Sequence, residues 1–151
     1  MNEHSISRFA VYLLSAVMLV FGIYHLMYPK MWLVYVPDFI PGGILWVYFT
    51  GIAFIGVALA FVTNRMVKLA GYLLAAMLLV FVLTIHLPNY LNAGDPEMRQ
   101  QAFASLLKDT AIMGFALFVA ANARHQRINE AEEEAETARI RVLETNTPVT
   151  V

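Results

Sequence analysis

Four ionisable side chains stand at the edges of long apolar runs: His25 in "GIYHLMYP", His86 in "LTIHLPNY", and Lys108 with Asp109 in "SLLKDTAIMG". Ionisable groups within or beside membrane-spanning segments are costly to desolvate and usually face the interior of a bundle, which makes each a candidate for function. A histidine near a carboxylate can accept and release a proton close to neutral pH. Histidine with tyrosine or asparagine could hydrogen-bond quinone carbonyls, with His and Asp passing protons. Two histidines on different helices could instead ligate a haem axially. His86, Asn89 and Asp109 have oxygen and nitrogen donors, but no clustered ligand spacing supports a metal site. The expected cofactor-binding set is His25, His86, Lys108 and Asp109, with support from Tyr28, Trp32, Tyr35 and Asn89. Each member also has an ordinary explanation, since a histidine or lysine at a helix end can reach toward the interface. What joins them is a shared depth.

That depth follows from the elements carrying them. The 151 residues are 60% hydrophobic and 14% charged, well above the apolar share of soluble domains. Residues 9–29, 43–63 and, after Lys68, 69–85 contain no Asp, Glu, Lys or Arg. A fourth uncharged run covers 110–123 and lengthens if Leu106 and Leu107 are included. Each approaches the roughly 20 residues a helix needs to cross a bilayer. The expected architecture is all-α: a four-helix transmembrane bundle (spans about 9–28, 43–63, 67–87 and 106–123, within residues 1–125) with a short C-terminal cytoplasmic helix and frayed tail over 126–151. The first run is too long for a signal-peptide core and is followed by no small-residue cleavage site, so it reads as an uncleaved span. Ala53, Gly56, Ala60, Gly71 and Ala75 are small residues suited to close helix approach.

Basic residues set the orientation. Arg8, Arg65, Lys68, Arg124 and Arg127 fall on one side, against Lys30, Arg99 and Lys108 mixed with acids on the other. Both termini are therefore expected in the cytoplasm, with loops 29–42 and 88–105 outside. The first loop, "PKMWLVYVPDFIPGG", carries the interface-seeking rings Trp32, Tyr35 and Phe39 between three prolines, and is expected to lie over the bundle as a cap. Pro88 is expected to end the third helix near His86. Asp95, Pro96 and Glu97 suit the start of the fourth, with Asp95 as its cap. "YHLMYP" and "IHLPNY", with their histidines 61 positions apart, hint at two helical hairpins repeated in parallel. There are no cysteines, so disulfides, thiolate metal sites and thiol redox relays are excluded. A net charge of −1 gives no support for nucleic-acid binding. No phosphate-binding glycine loop and no Ser-His-Asp pattern stands out, and the residues alone assign no reaction.

Through "GIYHLMYP", "YVPDFIPGGILWVYFTGIA", "TIHLPN" and "LLKDTAIMG", in that order and spacing, the chain resembles the DoxX-like family of small bacterial four-helix membrane proteins over about residues 9–122. The resemblance implies a bacterial inner-membrane bundle, and a link to quinone-reducing or other oxidoreductase complexes. It carries over to His25, His86, Lys108 and Asp109, which stand in the matching segments. Where family members often have an acidic residue after the Thr-Gly of the second helix, "TGIAFIG" has Phe54. The function expected is a quinone-linked component of a membrane oxidoreductase complex with an outer-side polar pocket. The alternative is a non-enzymatic membrane scaffold or assembly partner. The expected partners are the lipid bilayer and an oxidoreductase subunit.

Overall fold

The computed structural model describes residues 3–37 and 40–146. Phe39, and the last residues expected to fray, lie outside that range. Among the described residues the regular structure is all helical: α1 (Glu3–Met27), α2 (Pro29–Leu33), α3 (Ile44–Val62), α4 (Val67–Phe81), a π-helical turn (Val82–His86), α5 (Leu87–Asn92) and α6 (Pro96–Asn146). Among the described residues, four stretches are long and apolar enough to cross a membrane: Ser5–Met27, Ile44–Val62, Val67–Asn92 and Pro96–Ala123. Apolar side chains on nearly every face leave no polar stripe for water, so the backbone satisfies itself internally as helix.

The helices pair as two hairpins. α1 packs chiefly against α3 and α4 against α6, while α3 and α4 meet more thinly. Each hairpin has a long helix carrying a histidine, a nearby proline, a short helix (α2 or α5), and a second long helix running back. This shared layout is what the two histidine segments hinted at. Close approach sits at glycines. A Cβ on Gly22 would lie 2.8 Å from the Gly51 carbonyl, and one on Gly71 would lie 2.8 Å from the Ala116 carbonyl. Gly71 and Ala75 are buried as expected, but Gly56 faces open space. Gly22 and Gly51 make the α1–α3 contact instead.

One apolar core joins the hairpins at the end holding the N-terminus, where Met18, Leu74 and Ala116 are at most 1% exposed. A short turn between α3 and α4 closes this end; Asn64 and Met66 take positive φ there, and the Arg65 N–H reaches the Ala60 carbonyl. At the opposite end the turn into α3 runs through Gly42 (φ 99°) and Gly43 (φ 37°), a conformation open to glycine without a Cβ penalty.

One expectation about boundaries is corrected. The third span does not stop near His86 but continues helically through Pro88 to Asn92. Pro88 lacks the N–H that an α-helix would use and would clash with the carbonyl four residues back. The widened turn just before it relieves both, with the Leu87 N–H bonding to the Val82 carbonyl five residues back. The charged helix expected from residue 126 and the fourth span form one helix, α6. Residues 121–146 contain no Gly or Pro and are rich in Ala, Glu and Arg, so nothing in the chain interrupts the helix. Its start is as expected: Asp95 Oδ1 accepts from the Met98 N–H at 2.8 Å.

Candidate functional site

Between the hairpins, at the end carrying α2 and α5, lies a cavity of about 550 Å³. That is in the range of small-molecule sites. His25, His86, Lys108 and Asp109 all line it, as do Trp32 and Tyr35. Met18, Phe21, Phe54, Met77, Phe81 and Ile112 give it a largely apolar wall.

One corner is built on α1. His25 is buried, and its Nδ1–H donates to the Phe21 carbonyl one turn back at 2.7 Å. This leaves Nε2 of the neutral ring as an acceptor. Trp32 of α2 stacks on the imidazole, centroids 4.2 Å apart and planes 11° apart. Phe54 of α3 meets the same ring edge-on at 5.5 Å. The loop cap thus exists, and its contact with the bundle is an aromatic stack.

The other corner joins α6 to the π-turn. His86 Nε2–H donates to Asp109 Oδ2 at 2.8 Å, with side-chain exposures of 14% and 7%. Lys108 Nζ lies 3.3 Å from Asp109 Oδ1 and 4.6 Å from the Phe21 ring centroid. Adjacent residues on one helix ordinarily do not face each other. They meet here because the lysine stem is long enough to curl back while its ammonium rests on the α1 ring. Asp109 is thereby paired on both oxygens, as a buried carboxylate must be. The His86–Asp109 bond holds the imidazole orientation and leaves Nδ1 as the acceptor of the neutral ring.

Tyr28 and Asn89 do not line the cavity. Both are exposed; Tyr28 sits at the α1–α2 break and packs on Tyr24 at 5.5 Å, while Asn89 lies on α5. Thr50, Trp46, Gln101 and Ser105 line the cavity and were not anticipated. Gln101, Ser105, Lys108, Asp109 and Ile112 follow the 4, 3, 1, 3 spacing of a single helix face. That periodicity is legible in the sequence once α6 is extended back to Pro96. Phe54 stands where a carboxylate was weighed, and its ring makes that wall apolar. Among the described residues no group of three or more His, Asp or Glu is gathered for a metal ion.

A second cavity of about 600 Å³ lies at the N-terminal end, among Arg8, Tyr12, Phe61, Asn64, Thr137 and Arg141. It brings the extension of α6 to the base of α1 and α3.

No curated protein and no solved structure matches the chain. A family match spans residues 14–120, which takes in all four ionisable residues of the site and leaves out the extension of α6. By that match the chain belongs to the family described as Domain of unknown function (DUF8561).

Proposed function

We propose that this protein is a DoxX-like multi-pass protein of the bacterial inner membrane, with both termini in the cytoplasm. In this reading the cavity opens on the outer side and binds a quinone, as part of a membrane oxidoreductase complex. The observation that carries the reading is one apolar cavity with a hydrogen-bonding corner at each side: His25 beneath Trp32, and His86 with Asp109 and Lys108. An apolar wall suits a flat ring, whose carbonyl oxygens can accept from the Lys108 ammonium, or from the free nitrogen of His25 or His86 once that imidazole is protonated. The His86–Asp109 pair supplies a group that can exchange a proton on reduction. Axial haem ligation fits less well, because His86 Nε2 is engaged by Asp109 and one face of His25 is covered by Trp32.

The test is purification in mild detergent, with extraction of bound lipid for quinone and reduced-minus-oxidised spectra from the same sample. Bound quinone that disappears in His86→Ala, with unchanged helicity, is the expected result. A haem band would make the histidines axial ligands, and a colourless, quinone-free bundle would overturn the reading.

The charged α6 extension, exposed at residues 131 and 134–141 and outside the family match, favours a second reading: a membrane scaffold or assembly partner. Deleting residues 126–151 separates the two. The scaffold reading expects lost partner capture with an intact bundle, and the quinone reading expects retained ligand.

A further inference from the structure

The two tryptophans of the chain both line the cavity, and the fold treats their indole N–H groups differently. Trp46 Nε1–H donates to the Pro41 carbonyl at 2.8 Å. Trp32 Nε1 is buried with no acceptor among the described residues. Buried donors are almost always paired, and an orphan forfeits its hydration with nothing in return. The Trp32 ring is nevertheless well located. It stacks on His25, which the Phe21 carbonyl and the Phe54 ring hold in place. The helix that carries it is slight: α2 has five residues, none of them buried, and the chain beyond it passes through the glycine pair Gly42–Gly43. An acceptor reaches the shielded N–H by a small movement of α2, and the bond then formed offsets the desolvation already incurred.

We infer that Trp32 Nε1–H is the specificity-determining hydrogen-bond donor of this cavity, reading a carbonyl oxygen on a planar aromatic ligand as α2 closes over it. The choice of a ring carbonyl rests on the quinone reading; the choice of Trp32 rests on the contrast with Trp46. Trp46 holds a loop carbonyl and has no donor to offer. Trp32 does.

The experiment uses full-length ¹⁵N-labelled protein in detergent micelles, which has two indole N–H signals, assigned with Trp46→Phe. Two probes of the same shape are added, 1,4-naphthoquinone and naphthalene, the second without an acceptor. The Trp32 signal is expected to move downfield with naphthoquinone and not with naphthalene, while the Trp46 signal stays near its position. Trp32→Phe, which keeps a ring to stack on His25, is expected to weaken naphthoquinone binding by about threefold to tenfold and to leave naphthalene unchanged. Trp46→Phe serves only to assign the two signals. Naphthoquinone binding in the cavity with a stationary Trp32 signal, or with equal affinity in Trp32→Phe, overturns the inference while the quinone reading stands. Equal binding of the two probes overturns the inference and, with it, the reading in which the cavity recognises a quinone carbonyl. Absence of naphthoquinone binding overturns both. The signal shift is read on the unaltered protein, so the test survives a Trp32→Phe variant that fails to fold.

Discussion

Asp109→Ala removes the acceptor shared by His86 and Lys108, and the structure assigns unequal shares to the two contacts. The His86 bond is 2.8 Å between side chains that are 14% and 7% exposed. A hydrogen bond to a charged, desolvated group contributes about 1.5–3 kcal/mol. Interhelical bonds in membranes run lower, near about 0.6 kcal/mol, because the separated helices also find partners. Lys108 is 44% exposed at 3.3 Å, and exposed pairs contribute about 0.2–1 kcal/mol. Asp109→Ala is therefore expected to cost about 2 kcal/mol, and Asp109→Asn, which keeps an acceptor oxygen, about 1 kcal/mol. Alanine is the informative change, since a larger apolar side chain could fill the space and mask the loss. The assay is reversible unfolding in mixed micelles followed by circular dichroism, with double-mutant cycles for His86–Asp109 and Lys108–Asp109. The His86 cycle is expected to give about 1.5 kcal/mol and the lysine cycle below about 0.5 kcal/mol. A lysine coupling larger than the histidine coupling, or an Asp109→Ala variant as stable as the parent, would refute the reasoning.

Gly71→Ala is expected to destabilise the bundle by about 1–3 kcal/mol, because its Cβ would sit 2.8 Å from both the Ala116 carbonyl and the Ala120 Cβ. Gly114→Ala, whose Cβ meets nothing within 4 Å, is expected to be neutral in the same unfolding assay; similar losses at both would remove the packing argument. Asp95→Ala removes the acceptor for the Met98 N–H and is expected to cost about 1 kcal/mol locally. Hydrogen exchange should then quicken in the first turn of α6 with the melting temperature unchanged.

The sequence by itself determined the helices, the number of long apolar spans and the four ionisable residues, because hydropathy and charge segregation act locally along the chain. It also marked the start of α6, where Asp95 and Pro96 carry a capping signal that depends on neighbours alone. It placed Trp32 and Tyr35 over the bundle end, since prolines and interface-seeking rings leave few other positions. Pro88 misled it: a proline reads as a helix end, and the π-turn that carries the helix past it depends on packing against α6. Gly22 and Gly51 were illegible as a pair, because close approach is a property of two helices meeting. Only the tertiary structure decided that Tyr28 and Asn89 face outward, that Lys108 curls back to its own neighbour, and that Asp109 chooses His86. It alone also separated Trp32 from Trp46. Two indoles of one chemical type differ in whether a carbonyl lies within reach: Trp46 meets one in its own loop five residues back, whereas Trp32 is laid on His25 by the packing of α2 against α1, with no acceptor among the described residues.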